Sequence, residues 1–231
     1  MIFYDYWRSS SAWRVRIALH FKRIVFERRP VDLLEDGGRQ HTPAFRALNP
    51  LGQVPVLVVD DARGPRTIAQ SMAILAYLEE TFPAPPLLPA DPWLRARARQ
   101  LAEMMVGGIQ PFHNMATLAH VRGLGLTDPN AWAGHFIARG LTALETTAAE
   151  TAGAFLVGDA PSLADLCLVP QLYAGRRFAV DLTPYPRLLR VEAAAASLPA
   201  FVAAHPDAQS DAPPHRNRDT AVPRSSKIRE G

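Results

Sequence analysis

Three hydroxyls stand side by side at Ser9, Ser10 and Ser11, after the apolar run of residues 2–6 and just ahead of a largely apolar segment holding Val15, Ile17, Ala18, Leu19 and Phe21. That order reads as a strand, a short turn and the N-terminus of a buried helix. A serine there accepts hydrogen bonds from the first free amides of the helix, and those amides with the helix dipole also attract an anion such as a thiolate. The chain has one cysteine, Cys167, inside an apolar helical run where it reads as a packed hydrophobe. A thiol used in catalysis must therefore be borrowed. Gln70-Ser71 opens a later helix and offers an amide, a hydroxyl and helix N-terminal N–H groups, which suit a simple cap and a carboxylate site about equally. Arg176-Arg177 follows the apolar helix and reads either as a solvated exit or as a grip on a carboxylate.

The elements needed to position these groups fall into two blocks. Over residues 1–82 the pattern is strand 2–6, helix 10–22, strand 25–31, a weak helix 42–48, strands 54–59 and 66–68 joined by a hairpin connection at 60–65, and helix 70–82. That order, βαβαββα, is that of a thioredoxin-like α/β domain. Residues 83–90 form a linker, since four of the seven residues in 83–89 are prolines. From 91 to 205 helical signals dominate, at 93–119, 130–151, 162–174 and 185–196 with a short turn near Phe201, predicting an all-α bundle. Gly107-Gly108 and Pro111 interrupt the first of these, which a bend beside a ligand cleft would explain. Ser162 and Asp165 have capping-box spacing at the start of a central helix, and Pro170 is expected to kink that helix. Residues 206–231 carry almost nothing apolar and read as a disordered, dispensable tail.

Composition excludes several classes. Of 231 residues 48% are apolar, enough for a sizeable core, and the net charge of +3 is too small to argue for nucleic acid although it would help draw in a dianion. One cysteine rules out an internal disulfide, a CxxC redox site and a thiolate zinc cluster, and His113 and His120 lack a third metal ligand nearby. No apolar run reaches membrane-spanning length and no signal-peptide pattern precedes residue 2, so the expectation is a cytoplasmic protein with no membrane partner.

Ser9 to Leu19, together with the run from Ala164 to Pro186 that includes Arg177-Phe178, resembles the zeta class of glutathione transferases, the class that includes maleylacetoacetate isomerase. The family often has Cys or Ala where this chain has Ser11, which bears on a third-position thiol but not on the hydroxyl chemistry. The resemblance implies glutathione as cofactor, a homodimer, and cis-trans isomerisation of maleylacetoacetate, an acidic small molecule of aromatic amino acid breakdown. It implies that Ser9 and Ser10 act on the thiolate and Arg177 on the substrate carboxylate. The glutathione site it implies takes in Ser11, Ala12, Trp13 and Arg14 of the motif, Gln40, and Gln70-Ser71 for the γ-glutamyl end. It adds Val54-Pro55, where the family carries a cis-proline and the Val54 backbone can pair with a peptide-like ligand, and from the helical block Gln110, Asn114, Met115 and Ala116. Related readings are a transferase or dehalogenase of α-halo acids and a maleylpyruvate isomerase. A reading from another class is a catalytically silent interaction module, which would have lost the hydroxyls or Gln70-Ser71.

Overall fold

The computed structural model describes residues 1–125 and 127–214. Strands β1 (Ile2–Asp5), β2 (Glu27–Pro30), β3 (Val56–Asp61) and β4 (Gly64–Ala69) form one sheet in the order β2-β1-β3-β4. β1 runs parallel to β2 and antiparallel to β3, with Phe3 opposite both Arg28 and Leu57. Helices α1 (Ser10–Phe21), α2 (Pro43–Leu48) and α3 (Ser71–Thr81) complete the thioredoxin-like order. β3 and β4 pair as far as Asp61 and Gly64, so the expected connection at 60–65 shrinks to Ala62-Arg63. Charged Asp60 and Asp61 sit on the exposed end of a ladder that the apolar residues before them anchor.

The helices begin where the sequence offers caps. Ser9 accepts the Ala12 N–H at 3.3 Å, Thr42 the Phe45 N–H at 3.3 Å, and Asp91 the Leu94 N–H at 2.9 Å ahead of α4 (Pro92–Val106). Each such cap contributes about 1 kcal/mol. α4 stops before Gly107-Gly108, where a Cβ on Gly108 would stand 2.6 Å from the Met104 carbonyl oxygen. The chain then turns through a 3-10 segment, Gln110–His113, into α5 (Met115–Leu124), which divides what reads in sequence as one long helix. α6 (Pro129–Ala148), α7 (Leu163–Arg177), α8 (Pro186–Ala196) and α9 (Pro199–Ala204) follow. α7 runs on past the internal Pro170 to Arg177. At its start the Ser162 N–H and hydroxyl both donate to Asp165 Oδ2, at 2.7 and 2.9 Å, and the Leu156 N–H donates to Oδ1 at 2.8 Å.

α1 is buried from Ala12 to Leu19 because it is covered on both sides, by α3 and the sheet and by α7 and α9. One apolar cluster runs from Phe3 through Leu19, Leu78 and Leu101 to Leu172 and Ala204. The segment between α3 and α4 is held by Lys22, whose Nζ donates to Glu79 at 2.7 Å, to the Phe82 carbonyl at 2.6 Å and to the Pro85 carbonyl at 2.9 Å.

The tail needs correction. Pro206 is buried, Pro206–Ala208 forms a 3-10 turn, and Asp211 pairs with Arg28 at 2.6 Å and accepts the Trp7 N–H at 3.1 Å. Specific polar contacts hold 206–214 where composition predicts no order, while 215–231 lie outside the described residues. Among the described residues no helix is long and apolar enough to cross a membrane.

Candidate functional site

A cleft of about 360 Å³ opens between the sheet-bearing half and the helical half. Its first wall is made of helix starts and turns. Ser9, Ser10 and Ser11 line it from the N-terminus of α1, with the Ser9 N–H bonded to the Tyr6 carbonyl at 3.0 Å and the Ser9 carbonyl accepting the Trp13 N–H at 2.8 Å. Val54 and Pro55, joined by a cis peptide, lie just ahead of β3, and Gln70 and Ser71 sit at the start of α3. Gln70 has φ +70°, a left-handed conformation costly for a residue with a Cβ and found most often at functional sites. Gln40 is buried, lines the cleft, and has no partner for its Oε1.

Beneath this wall lies a network that neither motif alone announces. The buried Arg14 guanidinium donates to Ser71 Oγ at 2.8 Å and also to Gln110 Oε1, while Gln110 Nε2 donates to Ser11 Oγ at 2.6 Å. Both hydroxyl oxygens are thus acceptors toward the protein. A hydroxyl that accepts on one side has its own proton to donate on the other, so Ser71 and Ser11 present donors for an anion. Burial pulls the Arg14 pKa below its ordinary value.

The second wall comes from the helical half. Gln110, His113, Asn114, Met115 and Ala116 line it where α4 gives way to α5, and Asn114 spends its Oδ1 on capping α5 through the Ala116 N–H at 2.9 Å. Gly140 of α6 allows this approach, since a Cβ there would meet Ile109 Cγ1 at 2.2 Å. Arg177 reaches the cleft from the last turn of α7, 4.6 Å from the Phe178 ring centroid, whereas Arg176 turns away to Glu192. The Arg177 surface is open to the cleft although protein encloses the group at longer range, and desolvation followed by the charge of Arg8 brings its pKa down to about 10. Water in the cleft still screens it.

Three members of the implied glutathione set behave differently. Ala12 and Trp13 fall on the buried face of α1 and do not line the cleft; Trp13 packs edge-on against Tyr173 and His205 at 5.4 and 5.3 Å. Arg14 works from behind the wall, through Ser71 and Gln110. All three lie where α1 is covered on both sides, whereas Ser9, Ser10 and Ser11 stand at its open N-terminal end. Cys167 is fully buried and burial pushes its thiol up to about 11, far from a ready nucleophile.

Sequence reasoning missed Arg8 and His113. Arg8 lines the cleft with its guanidinium 5.9 Å from the Tyr6 ring centroid and 5.6 Å from that of Trp7. Its position in a turn carries no periodic signal, and only the arginine type beside the hydroxyls could have suggested it. His113 is buried, its Nε2 is 3.3 Å from Gln171 Oε1, and desolvation above all lowers its pKa to about 4, so a neutral imidazole faces the cleft. His120 does not join it, and among the described residues no His, Cys, Asp and Glu cluster could hold a metal ion.

Residues 8–81 match the family model described as glutathione S-transferase, N-terminal domain. The chain is 47% identical over 213 residues to a probable maleylacetoacetate isomerase 2 of Drosophila melanogaster, covering 92% of this chain and 91% of that protein. A crystal structure of maleylacetoacetate isomerase from Anaeromyxobacter dehalogenans with bound glutathione is 53% identical, with TM-score 0.85 over 92% of this chain and 97% of that one. A bacterial maleyl pyruvate isomerase described as a zeta-class glutathione S-transferase is 41% identical, with TM-score 0.85 over 92% of this chain and all of the other.

Proposed function

The chain belongs to the zeta-class glutathione transferases, in the maleylacetoacetate isomerase family, and from that premise we propose that its cleft isomerises maleylacetoacetate to fumarylacetoacetate with glutathione as cofactor. The observation that carries this reading is that two guanidiniums, Arg8 and Arg177, close enough for the charge of one to lower the pKa of the other, line one cleft with the three hydroxyls of a helix N-terminus. Such a site suits one thiolate and one dianionic substrate. The donor set also fits glutathione: Gln40 lines the cleft with a buried Oε1 that no protein group pairs, and the Ser71 hydroxyl is polarised by Arg14 to donate to a carboxylate.

Glutathione, when bound, supplies a thiolate whose addition to the cis double bond leaves a single bond free to rotate, and its departure afterwards restores the cofactor. Ser9, with Ser10 in support, lowers the cost of keeping that sulfur ionised, by hydroxyl donation and the α1 dipole. Val54, Gln70 and Ser71 hold the peptide-like body, and Gln110, Asn114, Met115 and Ala116 border it from the helical side. Arg177 takes the substrate carboxylate and offsets charge developing on the neighbouring carbonyl oxygen. Residues 1–82 thus supply most of the glutathione site and 91–205 most of the substrate side, Arg8 being the substrate cation that comes from the first block, with 83–90 between them. We further infer a cytoplasmic homodimer.

Maleylpyruvate is the second candidate, because a cis-enoyl diacid of similar charge would meet the same two cations, and the chain is as close in fold to an isomerase of that acid. Purified protein should convert maleylacetoacetate with glutathione present and not consumed, at a higher kcat/KM than maleylpyruvate or dichloroacetate. It should elute at twice 25.3 kDa by light scattering. No glutathione-dependent isomerisation, or a preference for the halo acid, would overturn the assignment, and a monomer would remove the dimer.

A further inference from the structure

The turn that precedes Ser9 is held by groups far from it in sequence. The Trp7 carbonyl accepts from Arg16 Nη2 at 2.6 Å, and the Trp7 N–H donates to Asp211 Oδ2 at 3.1 Å, 204 residues away. Asp211 Oδ1 pairs with Arg28 at 2.6 Å, the same Arg28 Nη2 reaches Asp5 Oδ1 at 2.7 Å, and Asp5 Oδ2 pairs with Arg16 at 2.6 Å. The two peptide units that meet at Trp7 are therefore tied, one by its N–H and the other by its carbonyl, to one chain of charges, of which Asp211 is the member contributed by the C-terminal segment. Asp5 and Arg16 are fully buried and Arg28 and Asp211 only slightly exposed, so solvent screens these charges weakly.

What these charges position is Arg8. Ser9 has its own anchors in α1, through the Ala12 and Trp13 amides. Arg8 has no helix to hold it, and its guanidinium lies against the rings of Tyr6 and Trp7. We propose that Asp211 is a positioning residue for the substrate side of the cleft, holding the Trp7 N–H and with it the turn that carries Arg8 into the same cleft as Arg177. The proposal rests on the reading of the cleft as a dianion site. It also reverses the expectation that everything beyond His205 is dispensable.

Malonate serves as the dianion probe, its dissociation constant read at equilibrium from tryptophan fluorescence with glutathione saturating. Asp211→Ala should weaken malonate roughly tenfold, the size of one lost hydrogen bond to a charged group, and leave glutathione affinity within about twofold because Ser9 keeps its helix anchors. A chain ended at Gln209 removes the same carboxylate without a substitution and should match Asp211→Ala. A chain ended at Pro214 should match the parent. In an Arg8→Ala background the effect of Asp211→Ala should vanish. Persistence of the tenfold loss without Arg8, equal weakening of glutathione, or unchanged malonate binding would each overturn the proposal while leaving the proposed activity standing. A parent that binds glutathione but not malonate overturns the dianion reading and this proposal with it.

Discussion

The two walls of the cleft are built on different principles. On the sheet side, Ser9 to Ser11, Val54-Pro55 and Gln70-Ser71 stand at the starts of α1, β3 and α3, so local backbone geometry aims them. On the helical side His113 and Arg177 face the cleft because α4 is broken at Gly107-Gly108 and because α7 ends where it does, both outcomes of packing against distant segments. The first wall offers fixed N–H and hydroxyl donors and can be common to every reaction of the cofactor. The second offers the Arg177 charge and an imidazole, and on the proposed reading it discriminates among substrates.

That contrast can be tested in three ways. The largest effect concerns pH. His113, at about 4 against an ordinary value near 6.5, stabilises the fold above pH 6.5, and this is lost as pH falls through 4. Asp165, raised by burial to about 6 from 3.8, stabilises below pH 3.8, and this is lost as pH rises through 6. The two oppose each other between pH 7 and 4. Urea denaturation of His113→Gln should show stability rising relative to the parent on acidification, by on the order of 3 kcal/mol, and Asp165→Asn should show it falling. If both variants track the parent, neither group is perturbed as described.

Next in size, Arg177→Ala should raise KM for dianionic substrates by about 1.5 to 3 kcal/mol, leaving the thiolate titration of bound glutathione and turnover of a neutral electrophile in place. Equal loss with the neutral substrate would show that the helical wall does not discriminate by charge. Smallest is Ser9→Ala, which removes a cap worth about 1 kcal/mol and should shift the thiolate absorbance titration upward for every glutathione-dependent reaction. A shift confined to Ser10→Ala would move the role by one residue; no shift in either would leave the helix dipole alone holding the charge.

The same contrast explains what was legible in the chain itself. The sheet-side wall could be read because serine caps, a Val-Pro pair and a Gln-Ser helix start have local signatures. The resemblance implies Trp13 for the site, but packing on the helical side turns it to Tyr173 and His205. Arg8, His113 and Asp211 had no such signature. His113 acquires its surroundings from Gln171 and Phe178, and Asp211 lies in a Pro- and Asp-rich run whose composition argues for disorder until Arg28 and the Trp7 amide are placed beside it. Arg14 was recognisable as part of a motif, but its reach to both Ser71 and Gln110 is a tertiary fact.

α1 has a consequence for cooperativity. Its inward residues belong to the same apolar cluster as α3 on one side and α7 and α9 on the other, and Arg16 adds a bond to the Ala204 carbonyl at 3.2 Å. Neither half retains a complete interior without this one helix. The sheet-bearing and helical halves should therefore melt in one transition, and an opening large enough to separate the walls of the cleft should expose part of this shared core. The enzyme cannot trade local melting for substrate entry; access must come through side chains and turns at the rim, with the shared helix kept among the slowest amides to exchange.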